Sequence, residues 1–442
     1  MTIPIDKTAS SAPALALALA LALGAAAPAA AHAATDGAHW ATSWYASPQP
    51  AWGAGFILPT GVPATLDDQT LRETVRVSAG GKRVRLVFSN RYGHAPVAIG
   101  RVRLALDGQA GAGHAVTFGG RDDAVLAPGA QLVSDAVALE VAPLARLSVS
   151  TWLPRPTRID SFHWGAQQTV AVAGHDRTGA PDFAPHAVVP GRLFLSGVLV
   201  ETAAAPHVVV ALGDSITDGN GSSPDRDRRW PDALARRLAP HGIAVANAGI
   251  SGARLLRDGM GVNALARLEQ DVLAQPGARD LIVLLGTNDI GWPGSPFAPA
   301  EAPAELDDLV RGYIQLVASA HARGIRVIGA TLPPFEGALE GTPYAGHYSD
   351  AKERLRRALN AWIRAGGAFD AVVDFDAVLR DPRHPGRLRP DYDSGDHLHP
   401  GDAGYAAMAD AIDPALFIPA SRPSPAPARP PAPSRSARRS RQ

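Results

Sequence analysis

The chain has 442 residues, of which 46% are hydrophobic, and its 42 basic side chains balance its 42 acidic ones. This length allows two or three domains with sizeable cores, and the balanced charge argues against an extended basic surface for nucleic acid. Because the chain contains no cysteine, structural disulfides, cysteine nucleophiles, Fe–S clusters and thiolate zinc sites are excluded.

Residues 1–33 have the pattern of an export signal. Lys7 precedes a run of Ala and Leu that ends in a small-x-small cleavage site at Ala31-His32-Ala33. An uncleaved membrane anchor is the alternative, but a run dominated by Ala inserts poorly into a bilayer, and the cleavage site follows it directly. We therefore expect a secreted or periplasmic protein without stable membrane insertion after the signal is removed.

Residues 36–203 alternate apolar and polar side chains in short runs, which Gly, Pro, Asp and Asn interrupt. Period-two alternation is typical of strands with one buried face, and no convincing helix separates these runs. The predicted strands are 71–77, 82–88, 97–106, 136–141 and 146–152. The pattern predicts an all-β domain, either a sandwich or a jelly-roll-like fold.

Residues 206–418 show a different pattern, in which short apolar strands alternate with amphipathic helices. The predicted strands are 207–213, 243–249, 280–286, 325–332 and 371–375. The predicted helices are 231–239, 262–274, 304–323, 350–365 and 401–412. This alternation predicts an α/β domain with a doubly wound, five-stranded parallel sheet and right-handed crossovers. Ligands of such domains bind beyond the carboxyl ends of the strands.

The last segment, residues 419–442, is rich in Pro, Ser, Ala and Arg and has no apolar periodicity. Such a composition cannot bury enough apolar surface to offset the entropy lost on ordering. We therefore predict a disordered tail.

Four polar segments follow predicted strands and should meet at one edge of the sheet. They are 213–217 (Gly-Asp-Ser-Ile-Thr), 247–252 (Asn-Ala-Gly-Ile-Ser-Gly), 286–289 (Gly-Thr-Asn-Asp) and 394–400 (Ser-Gly-Asp-His-Leu-His-Pro). Together they supply the parts of an acyl-transfer site.

Ser215 is the candidate nucleophile, because it follows a buried strand at a Gly-containing turn. A serine hydroxyl needs a base for attack at neutral pH, and His399 is the candidate. Asp396, three residues earlier, can hold the tautomer of His399 and stabilise its imidazolium form. His397 competes for the role of base, but the residue three positions before it is Ser394, which cannot act as the carboxylate.

The segment with the two histidines has two other interpretations. One histidine could simply cap the following helix in a polar loop. Alternatively, His397 and His399 could bind a metal ion together with Asp393 or Asp396, although no other His cluster supports a metal site.

The oxyanion of an acyl-transfer reaction needs preorganised hydrogen-bond donors. The backbone N–H groups of Ser215 and Gly252 and the side-chain amide of Asn288 are suitable in kind and in location. Taken singly, Gly252 is better explained as a turn residue, and Asn288 as an Asx-turn or N-cap residue. Their joint placement with the serine favours the oxyanion interpretation.

The four segments, taken in order, resemble the signature blocks of the SGNH hydrolase superfamily, the GDSL-type lipases and esterases. The resemblance covers about residues 208–413 and implies the flavodoxin-like α/β fold of that family. It implies Ser215 as nucleophile, with Asp396 and His399 as the other members of its triad. The implied activity is hydrolysis of carboxylic esters through an acyl-serine, with no cofactor and no metal.

The resemblance also implies that the oxyanion donors are Ser215 N–H, Gly252 N–H and the Asn288 amide. Residues 44–50 (Trp-Tyr-Ala-Ser-Pro-Gln-Pro), the β-rich half and residues 374–376 look like a secreted bacterial subgroup, in which an N-terminal β-domain precedes the hydrolase. Some relatives are linked to deacetylation of plant polysaccharides. Acetyl esters of polysaccharides or short acyl esters are therefore the suggested substrates, and a small-molecule or polysaccharide ester the expected partner, with no nucleic acid.

Two alternative functions remain open at this stage. The same serine could transfer an acyl group to a sugar acceptor, or the protein could bind carbohydrate and have a secondary esterase activity. In the second case tryptophans of the β-rich half would be stacking platforms, although tryptophans in sandwiches are more often core residues. The candidates are Trp40, Trp44, Trp52, Trp152 and Trp164.

The loop 333–348, with several Gly and three aromatic residues, is the candidate for substrate selection, because long irregular loops in compact domains are often functional. Trp292 could line the acyl pocket or cover the edge of the sheet. Asp218 could hydrogen-bond near Ser215 or stabilise the turn that follows it, and the turn is favoured.

Overall fold

The structure is a computed structural model that describes residues 39–109, 113–365 and 367–418. These residues belong to one compact unit that begins at His39. The export signal predicted over 1–33 and the tail predicted over 419–442 lie outside the described residues. No helix in the described ranges is both long and apolar enough to cross a membrane.

The first part of the described chain, residues 39–202, is built from antiparallel strands and is called the β-rich region below. Its strands are β1 (His39–Tyr45), β2 (Gln49–Pro50), β3 (Thr65–Leu66), β4 (Gln69–Arg76), β5 (Val84–Ser89), β6 (Val97–Ile99), β7 (Arg101–Leu106), β8 (His114–Val116), β9 (Ala124–Leu126), β10 (Gln131–Val133), β11 (Arg146–Leu153), β12 (Thr157–Arg158), β13 (Ser161–Phe162), β14 (Thr169–Gly174), β15 (Ala187–Pro190) and β16 (Leu195–Thr202). The larger sheets have the orders β1-β16-β5-β10 and β15-β14-β4-β11-β7-β8. Antiparallel strands confirm the all-β prediction for this part of the chain.

Two predicted strands of the β-rich region differ in the structure. The segment 136–141 makes only isolated bridges to the chain around β5, because a tight turn, in which Leu139 N donates to Val137 O, interrupts it. The segment 97–106 forms two strands rather than one. Gly100 separates them, and a side chain there would collide with the ring of Trp152.

The second part, residues 208–418, is called the α/β region. Its strands are β17 (Val208–Gly213), β18 (Ala244–Gly249), β19 (Ala278–Leu284), β20 (Arg326–Ala330) and β21 (Ala371–Val373). Its helices are α1 (Ser215–Asp218), α2 (Trp230–Leu238), α3 (Ala264–Leu268), α4 (Thr287–Gly291), α5 (Leu306–His321), α6 (Asp350–Ala365), α7 (Phe375–Leu379) and α8 (Asp402–Asp410). The strand order is β18-β17-β19-β20-β21 and all pairings are parallel, which confirms the predicted five-stranded sheet.

Local sequence explains most of these elements. Strands β17 and β18 are buried along their whole length, which is why they read as continuous apolar runs. Helix α2 buries Trp230, Leu234 and Leu238 on one face. The predicted strand 371–375 is shorter in the structure, because Asp374 caps α7 by accepting a hydrogen bond from Ala377 N.

The strand order determines where a ligand can bind. The chain enters the sheet at β17, crosses to β18 on one side, and returns past β17 to β19 on the other. A crevice opens at the carboxyl ends of the strands where the order reverses, beside β17. The segment 213–217 lies at this point.

The β-rich region packs directly on the α/β region through buried hydrogen bonds. Tyr45 Oη donates to Asp271 Oδ1 at 2.7 Å, and the Ser78 hydroxyl accepts from Val245 N at 3.0 Å. Apolar side chains of both regions belong to a single buried cluster. The α/β region is therefore held from one side by the β-rich region.

Candidate active site

Ser215 begins helix α1 immediately after β17 ends. Asp214 caps this helix, because its Oδ1 accepts a hydrogen bond from Ile216 N at 3.0 Å. A side chain at Gly213 would lie 2.0 Å from Thr217 Oγ1, so only glycine allows such a close turn. Burial raises the pKa of Asp214 to about 7. The turn leaves the Ser215 hydroxyl at the carboxyl edge of the sheet.

Ser215, His399 and Asp396 form one continuous hydrogen-bonded chain. Ser215 Oγ lies 2.8 Å from His399 Nε2, and His399 Nδ1 lies 2.5 Å from Asp396 Oδ2. A carboxylate can only accept, so Nδ1 carries the ring proton and Nε2 of the neutral ring is left to accept the serine proton. The structure thus brings together three residues that are up to 184 positions apart in sequence.

Asp396 is held by its own loop. Its Oδ1 accepts hydrogen bonds from the backbone N–H groups of Leu398 and His399, at 2.9 and 2.8 Å. Burial favours the neutral carboxyl, but the hydrogen bonds and the charge of His399 outweigh burial and hold the pKa of Asp396 well below its usual range. Asp396 therefore remains a carboxylate and keeps the histidine ring oriented.

The structure separates His397 from this chain. Its side chain is exposed and its Nδ1 lies 2.5 Å from Asp393 Oδ2. Its φ of 62° lies in the left-handed region, so this short turn directs His397 and His399 differently. In the described ranges, no three His, Asp or Glu side chains converge as metal ligands would.

The three predicted oxyanion donors lie around Ser215 at the carboxyl edge of the sheet. No described residue accepts a hydrogen bond from the backbone N–H of Ser215 or of Gly252. Asn288, in α4, donates from Nδ2 to Ala253 O at 3.0 Å, which fixes the amide and leaves its second N–H available. Gly252 has a φ of 72°, and a side chain there would lie 2.6 Å from Met260 Sδ. Position 252 therefore requires glycine.

A cleft of about 550 Å³, counted out to the solvent at its mouth, opens above the serine. It is lined by Leu58, Trp164, Ser215, Asn220, Ser251, Gly252, Met260, Asn288, Trp292, Phe297, Leu339, Tyr344, His347, Leu398 and His399. Apart from the proposed catalytic groups, the walls are mainly apolar or aromatic. Two wall residues, Leu58 and Trp164, come from the β-rich region, so both regions form the cleft.

Aromatic side chains make a nearly flat wall on one side of this cleft. Trp292 and Phe297 are stacked with ring centroids 4.9 Å apart, and Phe297 stacks on Tyr344 at 5.6 Å. Phe56 lies in the loop that leads to Leu58, and its ring centroid is 6.3 Å from that of Trp292. Trp292 therefore lines the cleft, which was one of its two predicted roles.

The loop 333–348 contributes only part of what its composition suggested. Leu339, Tyr344 and His347 line the cleft. Phe335, by contrast, is fully buried in the core. His347 is also buried, and burial lowers its pKa to about 3, so the ring is neutral.

Several residues that line the cleft were not identified from the sequence. The sequence also did not distinguish which tryptophans of the β-rich region lie in the core and which line the cleft. Leu58, Met260 and Phe297 carry no local signal, because an isolated apolar residue in a loop looks the same in a core and in a cleft. Trp44 is a core residue, whereas Trp164 lines the cleft. Of the candidate stacking platforms, Trp164 is thus the one that reaches the site.

Comparison with known proteins gives one family match. Residues 209–412 match the model of the family described as GDSL-like lipase/acylhydrolase. No curated protein matches the chain.

Solved structures similar to the chain each align with a little under half of it. A GDSL-like lipase from Bacteroides thetaiotaomicron VPI-5482 is 24% identical with a TM-score of 0.36, covering 48% of this chain and 91% of its own. The native M. smegmatis aryl esterase is 19% identical with a TM-score of 0.37, covering 46% and 95%. A carbohydrate acetylesterase family member from Sinorhizobium meliloti is 17% identical with a TM-score of 0.37, covering 48% and 97%. Residues 209–412, a little under half of the chain, thus match the GDSL-like lipase/acylhydrolase family, and this match supports a carboxylic ester hydrolase.

Proposed function

We propose that this protein is an exported serine esterase with a triad of Ser215, His399 and Asp396. The observation that carries the proposal is the hydrogen-bonded chain from the Asp396 carboxylate through His399 to the Ser215 hydroxyl, at the floor of an apolar cleft. Ser-His-Asp chains of this geometry activate a serine for acyl transfer.

In the first step, Ser215 Oγ attacks the carbonyl carbon of the ester while His399 Nε2 takes the hydroxyl proton. The resulting imidazolium is stabilised by Asp396, which is already ionised and hydrogen-bonded to Nδ1. The negative charge on the former carbonyl oxygen is stabilised by hydrogen bonds from Ser215 N–H, Gly252 N–H and the Asn288 amide.

In the second step, the tetrahedral intermediate expels the alcohol, to which His399 returns the proton, and an acyl-serine remains. Water then attacks the acyl carbon while Nε2 takes one of its protons. Breakdown of the second intermediate releases the carboxylic acid and regenerates the Ser215 hydroxyl. Each member of the triad is thus restored at the end of the cycle.

The substrates that we propose are short acyl esters, including acetyl esters of polysaccharides. The size of the cleft suits a small-molecule group. The half-buried Trp164 at its wall offers a face on which a sugar ring can stack. Acyl transfer to a sugar acceptor would use the same groups and differs only in what attacks the acyl-serine. We also propose export of the protein, on the pattern of residues 1–33.

Replacement of the nucleophile tests the function. In Ser215→Ala we expect hydrolysis of p-nitrophenyl acetate to fall by about four to six orders of magnitude, with an unchanged circular dichroism spectrum. Ser222→Ala is the matched control, because Ser222 is a buried serine whose hydroxyl donates to Gly219 O and which is not one of the residues that line the cleft. It should retain most of the activity. Substantial activity in Ser215→Ala would refute the proposal.

The substrate class requires a separate experiment. Rates on acetyl to palmitoyl p-nitrophenyl esters, measured beside acetate release from acetylated xylan, should be highest for the short acyl groups. Product analysis in the presence of a sugar acceptor distinguishes hydrolysis from transfer. A palmitoyl optimum with no acetate released from xylan would contradict the proposed substrates, but not the triad.

A further inference from the structure

A buried hydrogen-bonded chain connects the β-rich region to the loop that contains Gly252. It begins at His163, just after strand β13. His163 Nδ1 lies 2.7 Å from the carbonyl oxygen of Ser47, and its Nε2 lies 3.0 Å from Asp218 Oδ1. The side chains of His163 and Asp218 are only 5% and 1% exposed.

The hydrogen-bond partners of His163 constrain where its ring protons lie. Because the Ser47 carbonyl can only accept, His163 Nδ1 must carry a proton and donate it. The 3.0 Å contact between Nε2 and Asp218 Oδ1 is a hydrogen bond when a second proton lies between these atoms, on the ring or on the carboxyl. A hydrogen bond to an ionised group, buried from water, is stronger than one between neutral groups.

The other oxygen of Asp218 continues the chain into the Gly252 loop. Asp218 Oδ2 accepts hydrogen bonds from the hydroxyl of Ser251 at 2.6 Å and from the backbone N–H of Ser251 at 3.2 Å. Ser251 immediately precedes Gly252, which Met260 and Trp292 confine from the other side. The Asp218 carboxylate therefore restrains Ser251, and through it the position of the next residue, Gly252, whose N–H is the proposed oxyanion donor.

Asp218 is also the last residue of helix α1, which begins at Ser215. The same side chain thus ties the nucleophile helix to the Gly252 loop. The reaction requires that the distance between the nucleophile and the oxyanion donors be correct to a fraction of an ångström. His163 determines the orientation of this carboxylate from outside the α/β region.

Two further residues of the β-rich region close over the same cluster. A side chain at Gly165 would lie 2.8 Å from Ser251 Oγ and 3.3 Å from Asp218 Oδ2, so glycine is needed for the backbone to pass this close. Gln167 donates from Nε2 to Asn220 Oδ1 at 2.9 Å. The segment 163–167 therefore contacts Asp218, Asn220 and Ser251 directly and specifically.

We propose that His163 is a positioning residue for ester hydrolysis, acting through Asp218 and Ser251 on the oxyanion donor Gly252 N–H. The proposal rests on the proposed function, since it needs Gly252 to donate to the oxyanion. It makes the β-rich region a part of the catalytic apparatus, because His163, the partner of Asp218 Oδ1, lies outside the α/β region.

The test compares His163→Leu with a matched variant, His207→Leu. His207 Nε2 lies 2.5 Å from the buried carboxylate of Asp280, at the opposite, amino end of strands β17 and β19. Both substitutions remove a His–Asp hydrogen bond at the border of the sheet. They differ in their distance from Ser215.

We expect His163→Leu to lower kcat for p-nitrophenyl acetate by about 10- to 100-fold, because a displaced donor loses part of its stabilisation of the oxyanion. KM should change by less than about threefold, since ground-state binding in the cleft does not use this donor. His163→Gln, which keeps a donor toward Asp218, should recover most of kcat. His207→Leu should lower the melting temperature while kcat stays close to that of the unmodified protein.

A double-mutant cycle examines the route. If His163 and Ser251 both act through Asp218, the combined variant His163→Leu/Ser251→Ala should lose no more activity than the worse single variant. Fold losses that multiply would mean independent effects and would overturn the proposed route. Ser251→Ala tests the same chain if His163→Leu does not fold.

The proposal is also overturned if His163→Leu keeps its kcat, or if it loses no more kcat than His207→Leu at an equal loss of melting temperature. Ser215→Ala separates this failure from failure of the proposed function. An inactive Ser215→Ala with a fully active His163→Leu refutes only the positioning role, whereas an active Ser215→Ala refutes the esterase mechanism itself.

Discussion

The two regions of the molecule bury polar residues for different reasons. In the α/β region the parallel strands are buried on both faces, so polar side chains collect where the strands end, and the candidate catalytic residues all lie there. In the antiparallel β-rich region polar side chains alternate with apolar ones and mostly face outward. Polar side chains are buried in this region as well, and among them His163 and Glu73 form ion pairs with Asp218 and Arg192.

In the proposed mechanism, the reacting groups and the residues that position them belong to different parts of the chain. The α/β region carries the proposed triad and oxyanion donors. The β-rich region contributes Leu58 and Trp164 to the cleft and holds Asp218 through His163. Replacements of the proposed catalytic residues in the α/β region should therefore abolish or strongly reduce kcat. Replacements in the β-rich region should have smaller effects on kcat or should lower the stability of the fold.

The largest expected contrast lies within the α/β region, between two histidines with similar carboxylate partners. His399→Ala removes the base that contacts Ser215, and we expect kcat for p-nitrophenyl acetate to fall by about four to six orders of magnitude. His397→Ala removes an exposed ring bound to Asp393 and should leave most of kcat. Equal losses in the two variants would contradict the assignment of the base.

A smaller loss is expected for one oxyanion donor. Asn288→Ala should lower kcat by about 100- to 1000-fold with a nearly unchanged KM, because the donor acts on the charge that develops in the transition state. Asn360→Ala is the control, since Asn360 is buried in the same region but hydrogen-bonds both backbone groups of Leu332. It should lower the melting temperature and spare kcat. A fully active Asn288→Ala would remove Asn288 from the mechanism.

The smallest effect concerns stability in the β-rich region. Burial raises the pKa of Glu73 to about 7, although Arg192, 3.8 Å away, opposes the shift. The folded state therefore holds this proton to a higher pH than the unfolded chain, whose carboxyl titrates near 4.5. The stability contributed by the neutral carboxyl is present below pH 4.5 and is lost as the pH rises toward 7, by at most about 1.4 kcal/mol per pH unit.

Glu73→Gln removes this titration but keeps an oxygen that can accept from Leu193 N. Urea unfolding at pH 5 and pH 7.5 should therefore show a smaller drop in stability for the variant than for the unmodified protein. Asp214, whose pKa is also raised to about 7, changes stability in the same direction, and His347, whose pKa is lowered to about 3, changes it in the opposite direction. Both residues are present in the two proteins, so the difference between the proteins reports on Glu73. Identical pH dependence in the two proteins would show that Glu73 does not titrate in this range.

Much of the candidate site was predictable because its signals are local. A strand that ends in Gly-Asp-Ser defines a turn, and the Asp-x-x-His spacing puts a carboxylate within reach of its own histidine, as the 2.5 Å contact between Asp396 and His399 shows. The five parallel strands were also visible locally, as apolar runs between amphipathic helices.

By itself the sequence determined the five parallel strands and the order of the polar segments, and it predicted His399 rather than His397 as the base, because each depends on residues within a few positions of one another. Tertiary structure alone decided that Leu58 and Trp164 complete the cleft and that His163 reaches Asp218, 55 positions away. An isolated loop residue has no periodicity to reveal its partner. Such contacts depend on how two independently patterned sheets pack, and that is a property of the whole fold.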